Sequence, residues 1–221
     1  RAYAATFRTA NVIFTNTEIT RAALERYAEA RQLRCPPLHV AGYGFEGISF
    51  TAAKRDEIVI LLRTDPHKRA DLAVAWLSRW IAEAGYRGRI VCLGCRREDL
   101  PFEAPAEWEW LGRTEASVCV ERMRAARVVL HFSEMEGFGM PPVEAALAGS
   151  ASVYSAVPAT VEAMSGAGFP FSNDDYNTFR YAMDAALKAP HDSLAAWSQE
   201  LAARYTWEKV TDRIVSVLLA A

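Results

Sequence analysis

Along the chain, short continuous apolar runs alternate with segments whose apolar positions recur at helical spacing. This is the pattern of buried parallel strands alternating with covering helices. EIVILLR, from Glu57, predicts a strand at 57–62, and DLAVAWLSRWIAEAG predicts a helix that ends on Gly85. RIVCLG at 89–94 is the next strand; the charged, proline-bearing stretch 95–107 reads as a loop. EWEWLG then gives a short strand, 115–126 a helix, and ARVVLHF a strand over 127–132. Residues 151–155 make another strand, VPATVEAM a short helix and GFPF a brief extended piece. From Asp174 the chain reads as helical over 174–188, 191–204 and TWEKVTDRIVSVLL, with His191, Asp192 and Ser193 as caps after Pro190. The order predicts an α/β fold: a doubly wound parallel sheet with a helical C-terminal tail.

The first 50 residues carry a weaker version of the same rhythm. NVIFT at 11–15 reads as a strand, NTEIT supplies caps, and a helix runs from Glu18 to Ala30 until Cys35-Pro36-Pro37 stops it. LHVAG resumes an extended path and GYGFEG at 42–47 turns it. GYGFEG formally matches a dinucleotide fingerprint, but that fingerprint requires a helix immediately after it, and GISFTAAKRDE follows instead. It is therefore an interdomain turn, with TAAKRD at 51–56 as the linker. The expected domains are 1–50, holding one βα unit and a crossing segment, and 51–221.

Composition narrows the function. A formal charge of −2 and a pI near 6.1 give no broad basic surface, which argues against nucleic acid or an anionic membrane as partner. No apolar run approaches the roughly 18 residues needed to span a bilayer. Cys35, Cys92, Cys95 and Cys119 are too few for a disulfide scaffold. Cys92 and Cys95 form a CxxC without a second metal-binding pair, and they read as buried or incidental thiols in a reducing compartment.

The chemistry concentrates in EGFGMPPVEAALAG, residues 136–149. In a doubly wound sheet ligands sit beyond the C-terminal strand ends, where the loop after strand 127–132 must lie. Gly137 and Gly139 open the backbone to an anion, and Pro141 and Pro142 suit a first helical turn. The helix N-terminus then offers free donors and a partial positive charge of about half a unit, a seat for a diphosphate. Glu144, one turn into the helix, can accept two hydrogen bonds from a vicinal diol such as a ribose. Glu136 can face the other end of the ligand. RTDPHK at 63–68 follows strand 57–62, so Arg63 and Lys68 emerge at the same sheet edge and can neutralise a leaving phosphate. His131 ends a strand near this site and reads as a buried, hydrogen-bonded core histidine.

On these residues the chain resembles the C-terminal domain of glycosyltransferase family 4, the retaining, two-domain GT-B enzymes that use nucleotide-activated sugars. EGFGMPPVEAALAGS is similar to that family's EGFG-(L/M)-PP-x-EA signature with its paired glutamates. VPATVEAMSGAGFPFSNDD, LLRTDPHKRADL and WLGRTEASVCVERMRAARVVLHFSEMEGFG resemble its flanking stretches, and ANVIFTNTEITRAAL with HVAGYGFE resembles the end of its N-terminal domain. The resemblance implies that Arg63 and Lys68 contact the donor diphosphate and Glu144 the ribose. It implies that Glu136 meets the donor sugar or the reaction face, while backbone around Gly137, Phe138, Gly139 and Met140 holds sugar and phosphate. Gly112 and Arg113 lie where the base usually meets backbone. Leu62 where a glycine is usual, Phe132 where a proline is common, and GCRRED in place of a glycine-rich turn are departures.

The implied protein is a metal-independent enzyme of polysaccharide biosynthesis, needing no cofactor beyond a UDP- or GDP-linked sugar. The acceptor, a glycan or lipid, would be bound mainly by an N-terminal domain of which this chain carries a remnant, so the fragment alone would be inactive. The implied location is cytoplasmic, with any contact with the inner face of a membrane made through the absent part. Two other functions fit the same residues: a non-catalytic nucleotide-sugar binding module, and a GT-B epimerase or phosphorylase.

Overall fold

The computed structural model describes residues 2–220. By contacts they divide into two compact units, one formed by the chain up to Glu46 together with the residues from Ala203 onward, the other by Gly47–Ala202.

The first unit opens with α1 (Ala2–Thr9), which the sequence pattern does not announce. β1 (Ile13–Thr15) and β2 (Leu38–Val40) pair in parallel and are joined through α2 (Glu18–Ala30). Thr17 caps α2, its side chain accepting from the Thr20 N–H at 3.1 Å, a cap worth about 1 kcal/mol. No helix follows the glycines of 42–47, as expected.

The second unit is built on six parallel strands. In chain order they are β3 (Arg55–Leu61), β4 (Arg89–Leu93), β5 (Glu109–Gly112), β6 (Ala126–His131), β7 (Ala151–Ser155) and β8 (Phe169–Phe171). Their spatial order is β5-β4-β3-β6-β7-β8, every pairing parallel. The connecting helices are α3 (Ala70–Ala84), α4 (Ala116–Ala125), α5 (Met140–Leu147) and α6 (Pro158–Met164), followed by α7 (Tyr176–Leu187) and α8 (His191–Arg204). The fold class is the one the apolar pattern predicts. Its reason is visible in β3, where alternate residues of one continuous apolar run serve opposite faces. Ile58, Ile60 and Leu62 join Leu77, Trp80, Leu130, Phe132 and Phe179 in one core, while Val59 joins Val91, Leu93, Met123, Val129 and Ala145 in the other.

Residues 51–56, expected as a linker, are tied down. Arg55 and Asp56 already belong to β3, and the Thr51 N–H donates to Ala148 O at 3.2 Å. The Lys54 ammonium donates to Arg124 O, Ala148 O and Ser150 Oγ at 2.8–3.1 Å, which uses all three of its protons. Burial, reinforced by the nearby Arg124 charge, lowers its pKa to about 8.

The chain closes with α9 (Trp207–Ala220), which groups with the first unit rather than with the sheet that precedes it in sequence. Within that unit the Arg213 Nη1 donates to Ala41 O at 3.0 Å, and the Phe45 N–H donates to Tyr205 O at 3.2 Å. A Cβ at Gly44 would fall 2.6 Å from the Trp207 ring, so the turn at 42–47 is shaped by the aromatic that packs on it.

Candidate functional site

The strand order reverses direction between β3 and β6, and in doubly wound sheets ligands bind beyond the strand ends at such a point. The loops leaving those ends, 62–69 and 132–139, carry most of the residues singled out in the sequence. The 62–69 loop ends in a short 3₁₀ turn, Pro66–Lys68, and Arg69 enters α3 in the left-handed conformation (φ 46°). Gly139 caps α5 with φ 91°, a value that favours glycine, and a Cβ there would lie 2.5 Å from Thr160 Oγ1. Pro141 and Pro142 occupy the first turn of α5, where no helical N–H bond is lost.

Lys68 and Glu136 meet directly: the Lys68 Nζ donates to Glu136 Oε1 at 2.5 Å, both side chains largely buried. His131, the last residue of β6, is buried, and its Nε2 stands 3.4 Å from the same Glu136 oxygen. Desolvation lowers its pKa to about 4, against the opposing pull of Glu136, so the ring is neutral near pH 7. It is thus a buried histidine, as expected, but one that faces a candidate site residue.

Glu144 is partly buried on α5, and its side chain has no hydrogen-bond or ion-pair partner among the described residues. Its carboxyl pKa is raised, by desolvation alone. A desolvated carboxylate without a donor is costly, and a ligand hydroxyl would relieve that cost. Phe138 is buried and Met140 is exposed, so in this loop Phe138 anchors while Met140 faces outward.

Beside this centre, the C-terminal ends of β3, β4 and β5 enclose a cleft of about 580 Å³ lined by Arg63, Asp65, Gly94, Arg96, Asp99 and Arg113, among others. Arg63 leans on Asp65 (Nε to Oδ2 2.9 Å) and remains mostly exposed. Gly112 lies at this edge, its carbonyl accepting from the Gly94 N–H at 2.8 Å, and a Cβ on it would press on Arg96 at 3.0 Å. The GCRRED stretch folds into a tight turn in which Arg96 N donates to Asp99 Oδ2 at 2.9 Å. Arg63 and Arg113 therefore line the cleft, whereas Lys68, Glu136 and His131 cluster where the loop after β3 meets the end of β6.

Several residues that hold the site were not foreseen. The Glu134 N–H donates to His67 O at 2.7 Å, and Arg69 Nη1 donates to Glu134 Oε1 at 2.6 Å. Ser133 Oγ donates to His67 O at 3.3 Å, while the Ser133 N–H donates to Ser155 Oγ at 3.0 Å. Asn173 completes the network: its Nδ2 donates to Ser133 O at 2.8 Å and its Oδ1 accepts from Ser155 Oγ at 2.7 Å. The signal available in sequence was only a serine or asparagine near each strand end. Among the described residues, no group of three or more His, Cys, Asp or Glu is placed to hold a metal ion.

No family model and no curated protein matches the sequence. Solved structures do match the fold. A UDP-forming α,α-trehalose-phosphate synthase from Burkholderia xenovorans superposes with a TM-score of 0.77 at 16% identity, over 97% of this chain and 62% of that one. A sucrose-phosphate synthase from Thermosynechococcus elongatus gives 0.77 at 17%, over 98% and 60%. A pneumococcal O-GlcNAc transferase solved with UDP and GlcNAc gives 0.73 at 15%, over 99% and 47%. The architecture is a Rossmann-like domain of the GT-B type of fold, and the chain spans less than two thirds of each of these proteins.

Proposed function

We propose that the chain is the donor-binding part of a retaining glycosyltransferase that takes a sugar from a nucleoside diphosphate to a glycan or lipid acceptor. The observation that carries this reading is Glu144, a desolvated carboxylate without a protein partner at the topological switch point of the sheet, beside the open N-terminus of α5. One fold neighbour, solved with UDP and GlcNAc, supports the class of donor.

In this reading Glu144 accepts from the ribose diol, and Arg63 and Lys68 neutralise the diphosphate. Lys68 has three protons; Glu136 uses one and two remain for phosphate oxygens. Gly112 and Arg113 border the base, while the backbone of Gly137, Phe138, Gly139 and Met140 lies along sugar and phosphate. As the bond from the sugar's C1 to the phosphate oxygen breaks, the acceptor oxygen bonds C1 on the same face. Its proton passes to the departing phosphate, whose charge Arg63 and Lys68 stabilise. Glu136 holds sugar hydroxyls. Residues 1–50 are, in this reading, the end of an acceptor domain, and the complete enzyme works in the cytoplasm without metal or cofactor.

The test is calorimetric titration of the chain with UDP, GDP and their common sugar conjugates, with and without a chelator. One base class binds, the chelator changes nothing, and Arg63→Ala or Glu144→Ala weakens binding by about tenfold or more, the worth of a charged hydrogen bond. Unchanged affinity in both variants would sink the assignment.

A further inference from the structure

We propose that His131 is a positioning residue, which holds the Glu136 carboxylate in the one orientation that presents its second oxygen to the donor sugar. This rests on the donor-site reading above. Strand alternation puts Val129 and His131 on the same face of β6, and Val129 packs in the core that includes Ala145 of α5. His131 therefore ends its strand under the helix whose N-terminus borders the site. Its ring is buried, so few orientations are open to it. Nε2 stands 3.4 Å from Glu136 Oε1, the oxygen that already accepts from Lys68 at 2.5 Å.

Lys68 thus donates to Oε1 from one loop while the His131 ring, at the end of β6, stands beside the same oxygen, which leaves Oε2 for a ligand hydroxyl. The division of labour is chemical. Lys68 supplies charge. A neutral imidazole with its proton on Nε2 supplies direction without adding a second positive charge to a buried site, and burial keeps the ring neutral. The 3.4 Å separation is long for a hydrogen bond, as such contacts often are before a ligand tightens them. Without His131, the single flexible ammonium of Lys68 would leave the carboxylate free to rotate about its terminal torsion.

The test has two arms. In the free protein, long-range ¹⁵N correlation spectra report the imidazole tautomer: a neutral ring protonated at Nε2 is expected, and one protonated at Nδ1 overturns the proposal whether or not any nucleotide binds. In the second arm UDP, UDP-glucose, GDP and GDP-mannose are titrated into wild type, His131→Leu, His131→Gln and Glu136→Gln. His131→Leu should lose about tenfold in affinity for the sugar nucleotide of the class that binds while keeping that for its nucleoside diphosphate, and His131→Gln, which retains an N–H at similar reach, should recover most of it. In the Glu136→Gln background His131→Leu should add almost nothing, since the two residues act as one unit. Equal losses for nucleotide and sugar nucleotide, or an additive double variant, overturn the proposal. Failure of every nucleotide to bind wild type removes the donor-site reading instead, and the tautomer still decides whether His131 serves Glu136.

Discussion

The Lys68 ammonium and the Glu136 carboxylate, 68 positions apart in sequence, meet at 2.5 Å between the loops that leave β3 and β6. Each is the nearest solution to the other's burial: a desolvated charge without a partner costs several kcal/mol, and here the partner comes from the neighbouring strand end. Lys68→Met is expected to weaken nucleoside-diphosphate binding at least about tenfold and to lower stability by about 1–3 kcal/mol, because Glu136 is then left without its cation. Calorimetry and urea denaturation measure the two effects separately.

The cap of α5 offers a sharper contrast. Gly139 holds φ 91° with Thr160 Oγ1 against it, and that hydroxyl is itself buried with no hydrogen-bond partner among the described residues. Gly139→Ala should cost about 1–3 kcal/mol and abolish nucleotide binding, since the new Cβ displaces the α5 N-terminus. Thr160→Val keeps the shape and removes the unsatisfied hydroxyl, so it should be neutral or stabilising by about 1 kcal/mol. Urea midpoints of the two variants check both signs.

Acidification should reveal His131. Its folded-state pKa, about 4, lies below the ordinary 6.5, so the unfolded chain binds more protons and stability falls as pH drops from about 6.5 towards 4. The loss over that window is about 3 kcal/mol. Glu144 works the other way, because its raised pKa lets the folded state take up a proton above the usual carboxylate range. The His131 contribution is therefore read as the difference in pH dependence between wild type and His131→Gln, which should vanish above pH 7 and grow on acidification.

At the opposite end of the sheet, Glu57 is fully buried with neither carboxylate oxygen hydrogen-bonded among the described residues, and Arg89 and Arg122 stand 3.8 Å away. Both arginines also pair with Glu109. Removing a cation should hurt more than removing the carboxylate charge: Arg122→Ala is expected to cost about 3 kcal/mol and Glu57→Gln about 1. In the double variant Glu57→Gln should recover part of the loss, a coupling that a denaturation cycle measures.

Much of the sheet was legible because β3, β4 and β6 are buried on both faces and read as continuous apolar runs. The positions of Arg63 and Glu136 beyond strand ends, and of Glu144 one turn into the following helix, followed from the same runs. What escaped depended on contacts distant in sequence. α1 is short and lacks a capping signal, and nothing near residue 54 announces that Lys54 will find three acceptors on α4, α5 and β7 neighbours. His131 was legible as buried, but its nearness to Glu136 depends on how the loop folds back over the end of β6. The pairing of the chain's last helix with its first residues is likewise a tertiary choice that local pattern does not carry.

The Ser133 network has a consequence for how such chains can vary. His67 enters it only through its backbone carbonyl, so almost any side chain at position 67 leaves the tether between the two loops intact. Ser155 and Asn173 enter through their side chains, and Ser133 through its hydroxyl as well as its backbone N–H and carbonyl. Sequence drift at these three places is therefore constrained jointly, although Asn173 lies far along the chain from the residues it keeps in register. A substitution there loosens Lys68 and Glu136 together, so two loops separated in sequence are inherited as a single mechanical part.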